Sequence, residues 1–172
     1  MSRAGLFTIT CFLIAVSSQA YARLGDSYEQ CVKRYGSPQR PPPAFGIPDP
    51  ENRVHFEVNG TKVVCDFENR KCERMVYSPA RQAHVEGLLE ANKQGAEWGQ
   101  GNQVELGGGR RPTPGIIWDR TDGARAIYQE LPGLFPIMEF LSPQYMAKKR
   151  QKQEGLNPER RPDESQKNPF VE

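Results

Sequence analysis

Two histidines, His55 and His84, are the side chains best suited to acid–base chemistry near neutral pH, and each has a glutamate two residues further on. His55 and Glu57 share one face of a predicted strand, so a general acid–base pair is geometrically possible. Mixed charges are routine on exposed strand faces, which favours a solvated surface over a catalytic pair, and neither histidine lies in a recognisable metal-ligand spacing. The sequence therefore predicts no catalytic residue, no metal site and no cofactor, and it favours a protein that is not an enzyme.

A glycine-rich segment, Gly107-Gly108-Gly109-Arg110-Arg111, has the composition of a phosphate-binding loop but not its sequence. No lysine follows the glycines, and Pro112 and Pro114 prevent a helix from starting where the phosphate would bind. The segment is predicted to be a surface loop.

The chain is organised around the stretch from Arg53 to Tyr77, which predicts three antiparallel strands and carries His55 and Glu57. Asn59-Gly60 favours a two-residue type I′ turn, because both central residues of that turn need positive φ. The register that follows pairs Val58 with Thr61, Phe56 with Val63 and Val54 with Cys65. It places six side chains on one apolar face: Val54, Phe56, Val58, Val63, Cys65 and Phe67.

The third strand follows a second turn, at Asn69-Arg70 or at Glu68-Asn69. Either turn is predicted to place Cys72 and Val76 on the apolar face. Three strands with one apolar side need a helix or another layer over them.

The opposite face of this meander is predicted to carry an apolar patch of Val64, Met75 and Tyr77, rimmed by charged residues. An apolar patch with a charged rim is the composition expected of a partner site. The alternative is that another layer of the same chain covers the patch.

The first 22 residues have the pattern of a signal peptide. Arg3 supplies the positive charge, residues 4–16 form an apolar run, and Ala20-Tyr21-Ala22 fits a cleavage site. The apolar run is shorter than the roughly 20 residues that span a bilayer. We therefore predict cleavage after Ala22, export to the periplasm or the extracellular space, and no stable membrane insertion.

Three cysteines remain after the predicted cleavage, Cys31, Cys65 and Cys72. An exported compartment permits disulfides, and an odd number leaves one thiol over. If the second turn lies at Glu68-Asn69, Cys65 and Cys72 face each other across two strands. Cys31, on a predicted helix, is the competing partner, and three small buried apolar side chains are an equally weighted alternative.

Outside the meander, the sequence predicts helices at 27–35, 79–93 and 142–149, and a long loop at 95–115 with Trp98 as its packing anchor. Asp122-Gly123 predicts a second hairpin that pairs Trp118 with Ile127 and Ile117 with Tyr128. Residues 134–140 predict a final strand at an edge or a bulge, because Pro136 cannot donate to a ladder.

This order of elements predicts an α+β fold, with antiparallel meanders covered by short helices and a possible loose duplication of an α-β-β-β unit. Residues 23–149 are predicted to form a single domain that includes a proline-rich connector at 37–50. Residues 150–172 are predicted to be a disordered charged tail, because they carry little apolar surface.

The net charge of +2 is made of interspersed charges of both signs. Nucleic-acid binding is typical of a basic stripe with aromatic residues among it, and none is visible. We therefore expect no nucleic-acid partner.

The segments Arg23-Leu24-Gly25, Gln30-Cys31 and Arg34-Tyr35-Gly36, followed by Pro38, resemble the mature start of small exported bacterial proteins of unknown function. The later segments Leu88-Leu89-Glu90-Ala91-Asn92 and Trp118-x-Arg120-x-Asp122-Gly123, with Trp98, are similar to their second half. More distantly, the helix before an antiparallel meander is similar to the outer-membrane assembly lipoprotein family SmpA/OmlA and to the β-lactamase inhibitor protein. The resemblance implies a fold and not an activity.

The sequence thus favours an exported, non-enzymatic binding module of the bacterial cell envelope, with an envelope protein as its candidate partner. An envelope scaffolding protein is the alternative, followed by a hydrolase without a recognisable motif. Ligand and oligomeric state do not follow from the sequence.

Overall fold

The computed structural model describes residues 23–39, 51–107, 112–130 and 133–156. It confirms the predicted α+β class, with three helices and one antiparallel sheet of seven strands in this described part. The elements in chain order are α1 (Tyr28–Tyr35), β1 (Arg53–Val58), β2 (Thr61–Glu68), β3 (Lys71–Ser78), α2 (Gln82–Ala91), β4 (Asn102–Leu106), β5 (Thr113–Asp119), β6 (Arg125–Gln129), β7 (Ile137–Leu141) and α3 (Pro143–Leu156).

The sheet has the strand order β1-β2-β3-β7-β6-β5-β4, so two meanders meet where β3 pairs with β7. β7 is therefore central, and the prediction that residues 134–140 form an edge strand or a bulge was wrong. Pro136 lies just before the strand begins at Ile137, so its missing N–H is not required by the ladder. The second unit contributes four strands rather than three, which departs from the predicted α-β-β-β duplication.

The first hairpin has the predicted register, with Val58 opposite Thr61, Phe56 opposite Val63 and Val54 opposite Cys65. Asn59 and Gly60 both have positive φ, at 51° and 75°, as a type I′ turn requires. Phe56 is 1% exposed, and its ring packs against Tyr35 of α1 at a centroid distance of 5.3 Å. Turn chemistry and hydrophobic alternation therefore fixed this register together.

A β-bulge at Glu73 changes the second hairpin. Phe67 lies opposite Cys72, but the next residue of β2, Asp66, lies opposite Arg74, so Glu73 has no residue opposite it. An extra residue in one strand reverses the facing of every side chain beyond it. The prediction that Val76 lies on the apolar face was therefore wrong, whereas Cys72, before the bulge, is buried as predicted.

The hairpin between β5 and β6 is shifted by one residue from the prediction. Its loop has three residues rather than two, because Arg120 N–H donates to the Ala124 carbonyl and Gly123 N–H donates to the Arg120 carbonyl. Gly123 has positive φ, but Asp122 does not. As a result Trp118 pairs with Ala126 and Ile117 with Ile127.

α1 is capped by Ser27, the first residue of the predicted helix. Ser27 Oγ accepts a hydrogen bond from Gln30 N–H, and Gln30 Oε1 accepts one from Ser27 N–H at 2.7 Å, which together form a capping box. Gly36 ends the helix with a φ of 84°. Cys31 and Tyr35 are its buried residues, so α1 covers the meander as predicted.

The other two helices differ from the prediction at their ends. α2 begins at Gln82 and not at Pro79, because β3 continues to Ser78. α3 continues past Lys149 to Leu156, into the segment that was predicted to be a disordered tail. Residues 157–172, the predicted signal peptide at 1–22 and most of the proline-rich connector lie outside the described residues.

The two faces of the sheet are covered differently. α1 and α2 lie on the inner face, where the core contains Phe56, Met75 and Phe140. α3 packs at one end of the outer face, where Met146 and Leu141 are buried. Across the described ranges, no helix has both the length and the apolar content needed to cross a bilayer.

β4 was missed by the sequence analysis, which treated residues 95–115 as loop. Its sequence, Asn-Gln-Val-Glu-Leu, contains only two apolar residues, and Pro114 lies in the strand that pairs with it. The loop before β4 is held by Trp98, whose indole N–H donates to the Leu89 carbonyl at 2.8 Å. Trp98 is therefore the packing anchor that was predicted.

Candidate functional site

The predicted partner patch does not exist as a surface. Met75 is fully buried and Tyr77 is 2% exposed, because the bulge at Glu73 turns both side chains to the inner face. Val64 stays on the outer face, where it lies opposite Val76 and is half-buried. The prediction was wrong for Met75 and Tyr77 because it assumed an unbroken alternation along β3.

A network of ion pairs crosses the outer face beside Val64. The Asp66 carboxylate accepts hydrogen bonds from Arg53 Nε at 2.7 Å and from Arg74 Nη1 at 2.9 Å. Arg74 Nε also pairs with Glu139 Oε1 at 2.5 Å. Burial alone would raise the pKa of Asp66, but hydrogen bonds from the two guanidinium groups outweigh burial and hold the pKa below its ordinary value. The network joins four neighbouring strands and leaves its charges mutually compensated.

The two histidines lie on opposite sides of the sheet. His55 is on the outer face opposite Val64, and its neighbour Glu57 lies opposite Lys62. His84 is on α2 and contributes to a pocket of about 190 Å³ on the inner side. The fold therefore does not bring the two predicted acid–base candidates together.

The pocket beside His84 has a pair of tyrosine hydroxyls in its wall. Tyr35 Oη and Tyr77 Oη are 3.0 Å apart, one on α1 and one on β3. Burial, followed by the neighbouring Tyr35, raises the pKa of Tyr77 well above its ordinary value. Tyr77 therefore stays neutral, and its hydrogen bond with Tyr35 joins the sheet to the helix.

The three cysteines form a buried cluster of free thiols. Cys65 lies opposite Met75 and Cys72 lies opposite Phe67, so the predicted direct pairing of Cys65 with Cys72 across the strands was wrong. The turn lies at Asn69-Arg70 rather than at Glu68-Asn69, and the bulge adds a further shift. Cys31 of α1, the alternative partner in the prediction, contacts Cys65, and the Cys72 thiol is also close to Cys65.

The environments of Cys31 and Cys65 keep these two thiols protonated. A hydrogen bond with Cys65, followed by burial, raises the pKa of Cys31. The bond to Cys31 lowers the pKa of Cys65, but the bond with Cys72 and burial raise it by more. Thiols are poor nucleophiles and poor metal ligands. Among the residues that the structure describes, no group of three or more His, Cys, Asp or Glu side chains is arranged to hold a metal ion.

A cleft of about 410 Å³ lies between the start of α2 and the β4–β6 end of the sheet. We call it the acidic cleft. The pairings of Gln103 with Ile116, and of Ile116 with Tyr128, place these three side chains on the inner face. The cleft is lined by Gln82, Gln103, Val104, Glu105, Pro114, Gly115, Ile116, Tyr128 and Glu130.

The acidic cleft has an apolar floor and a negatively charged rim. Ile116 and the Tyr128 ring form the floor, while the exposed carboxylates of Glu105 and Glu130 flank it. Tyr128 Oη donates to Glu130 Oε1 at 2.8 Å, so one carboxylate is held at the hydroxyl end of the ring. Burial and this contact with Glu130 raise the pKa of Tyr128 to about 12, which keeps the hydroxyl a donor at neutral pH.

No basic side chain lines the acidic cleft within the described part of the chain. Glu105, on β4, also lies opposite Pro114 and forms no ion pair with another described residue. Sequence reasoning missed the acidic cleft because it missed β4. The alternation of Val104, Glu105 and Leu106 was the available signal, but three residues are too few to separate a strand from a loop.

Comparison with models of protein families, with curated proteins and with solved structures gave no match to this chain. The fold, the acidic cleft and the thiol cluster therefore stand on the residues of this chain alone, and the resemblance to exported bacterial proteins stays a prediction.

Proposed function

We propose that this chain is an exported, non-enzymatic binding module of the bacterial cell envelope, and that the acidic cleft is its ligand site. Export is supported by the signal-peptide pattern of residues 1–22. The observation that carries the ligand site is the pair of glutamates, Glu105 and Glu130, over an apolar floor with no basic residue in the described lining. A site of this composition selects a cation on an aliphatic or planar stem, as in a lysine or arginine side chain.

The geometry assigns separate roles to the lining residues. The stem of a basic side chain lies along Ile116, its cationic end lies near the Tyr128 hydroxyl, and the two carboxylates neutralise the charge. The hydrogen bond from Tyr128 fixes Glu130 in place before the ligand arrives, which lowers the ordering cost of binding.

The magnitudes show that a single basic side chain is not enough. Two exposed ion pairs are worth about 0.2–1 kcal/mol each. Their sum stays below the roughly 4 kcal/mol that corresponds to millimolar affinity. The ligand must therefore present its basic group as part of a larger molecule.

The test compares two peptides with blocked ends, of sequence TVKVT and TVEVT, titrated into the protein without its signal peptide and followed by NMR chemical shifts. We expect TVKVT to bind at least tenfold more tightly than TVEVT and to perturb Ile116 and Tyr128. The Glu105→Gln/Glu130→Gln double variant should reduce this preference to less than threefold. Glu86→Gln, on the exposed side of α2, is the matched control and should keep it. Equal affinities for the two peptides in the parent protein would contradict the proposal.

A further inference from the structure

We infer that the ligand of the acidic cleft is an extended polypeptide segment that binds as an additional strand along the free edge of β4. This inference rests on the proposed function, because it takes the same site and names the class of molecule that fills it.

β4 is the terminal strand of the sheet, and in the described ranges its backbone pairs only with β5. A terminal strand presents unpaired N–H and C=O groups that can pair with another chain. The opposite edge of the sheet is partly occupied, since Gln39 N–H donates to the His55 carbonyl of β1 at 2.8 Å. β4 lacks the proline and lysine residues that commonly protect an edge, and its one charge, Glu105, points inward, where a basic residue of the added strand would neutralise it.

The side chains of β4 place the acidic cleft beside this edge. Gln103 and Glu105 point to the inner face and line the cleft, whereas Val104 and Leu106 alternate to the outer face. An added strand would alternate in the same way, so every second side chain would enter the cleft. A basic residue at such a position would lie beside Glu105 on the neighbouring strand, at cross-strand pairing distance.

The outer side of the edge sets a second requirement. Leu106 lies flat across β5 because Gly115 has no side chain: a Cβ at position 115 would be 2.3 Å from Leu106 Cδ1. Val104 and Leu106 are both half-buried and form a small aliphatic surface at the edge. Residues that flank the basic side chain should therefore be aliphatic and β-branched, which also favours an extended strand. The sequence TVKVT has this pattern, with lysine on the cleft side and both valines on the other.

Strand addition supplies the binding free energy that a single basic side chain lacks. Main-chain hydrogen bonds provide the affinity and pockets for alternate side chains provide the specificity in this mode of recognition. The additional strand would need no movement of β4, which is already extended and paired on its other side.

The test removes backbone hydrogen bonds without changing any side chain. Two backbone N-methylated forms of TVKVT are compared with the parent peptide. One is methylated on the backbone nitrogens of both valines, and the other on the backbone nitrogen of the lysine. Only alternate residues of an added strand donate to its neighbour. We therefore expect one methylated peptide to bind at least tenfold more weakly and the other to stay within about threefold of the parent. Amide exchange at residues 102–106 should slow on binding of the parent peptide.

The outcomes separate the two claims. If TVKVT is preferred over TVEVT but both methylated peptides bind as well as the parent, the acidic cleft binds cations and strand addition is wrong. If there is no preference for lysine, the proposed function itself fails. If the protein sediments as a dimer without peptide and β4 is already protected from exchange, the edge is taken by a second copy and the inference is overturned.

Discussion

Ser142 Oγ donates a hydrogen bond to the Glu73 carboxylate, which joins residues 69 positions apart in the chain. Ser142 N–H also donates to the Glu73 carbonyl at 2.9 Å, and Ser142 Oγ accepts from Tyr145 N–H at 3.0 Å. The bulge residue of β3 is thus fixed by the residue that precedes α3. The bulge is not a local irregularity but the point where the helix attaches to the sheet.

Ser142→Ala should lower the free energy of unfolding by about 1–3 kcal/mol, because it leaves the buried carboxylate of Glu73 without this donor. Urea denaturation measures the change. Gln144→Ala, on an exposed position of the same helix, should cost no more than about 0.5 kcal/mol. Equal losses in the two variants would show that the hydrogen bond does not hold the bulge.

Met75→Asp should prevent folding, since it places an unpaired charge at a fully buried position. Its neighbour Val76 faces outward, and Val76→Asp should cost only about 1 kcal/mol. Circular dichroism during thermal unfolding distinguishes the two variants. If Met75→Asp folded and Val76→Asp did not, Val76 rather than Met75 would face inward, as in a β3 without the bulge.

Phe56→Ala should cost about 3–5 kcal/mol, because Phe56 lies in the core beneath Tyr35 of α1. Glu57→Ala, on the opposite face of the same strand, should change stability by less than about 0.5 kcal/mol. Both are measured by denaturant unfolding. Comparable losses would place the two side chains in similar environments, contrary to the register of the first hairpin.

Asp66 should contribute stability that disappears in acid. Its pKa in the folded protein is below the ordinary value of 3.8. Its contribution is therefore complete above that value and is lost as the pH falls through the folded pKa. Asp66→Asn should cost about 1.5–3 kcal/mol near pH 7, and the difference from the parent should shrink steadily below about pH 4.

The control for Asp66 is Asp119→Asn, because Asp119 pairs with Arg125 on a more exposed part of the same face. Exposed pairs are worth about 0.2–1 kcal/mol, so this variant should lose less. A pH-independent difference between Asp66→Asn and the parent would mean that the carboxylate charge is not the source of the stability.

Export predicts that the protein recovered from its native host begins at Arg23, because Ala20-Tyr21-Ala22 fits the cleavage site. Mass spectrometry of the intact protein reads this terminus directly. Recovery of the full chain from Met1 in a membrane fraction would contradict both the cleavage and the proposed localisation.

The accuracy of the sequence predictions follows the strength of local signals. Asn59-Gly60 and the Ser27 capping box define the backbone through side-chain chemistry that acts within a few residues, so the first hairpin and α1 were predicted correctly. Asp122-Gly123 predicted the position of the β5–β6 hairpin correctly, but the loop has three residues rather than the predicted two. The Asp122 carboxylate binds the guanidinium of Arg120, which in turn reaches the Asn92 carbonyl, and this tertiary contact accompanies the three-residue loop.

The features that sequence could not predict depend on distant partners. Glu73 can bulge because Ser142 satisfies its carboxylate, and nothing within several residues of Glu73 signals this. β4 is a strand because β5 pairs with it, and its own sequence has weak strand propensity. The acidic cleft could not be predicted for the same reason. Its lining comes from α2 and three strands, which meet only after the sheet has formed.

The central position of β7 orders the events by which this protein becomes folded. A chain that emerges amino terminus first, from a ribosome or through a membrane pore, can form the β1–β3 meander early. It then exposes the unpaired side of β3 until Leu141 emerges, because β7 is the only strand in the described sheet that bridges β3 and β6. Such a chain is prone to aggregation until β7 pairs with β3. Truncation before Ile137 should accordingly yield two detached meanders rather than a smaller version of the protein.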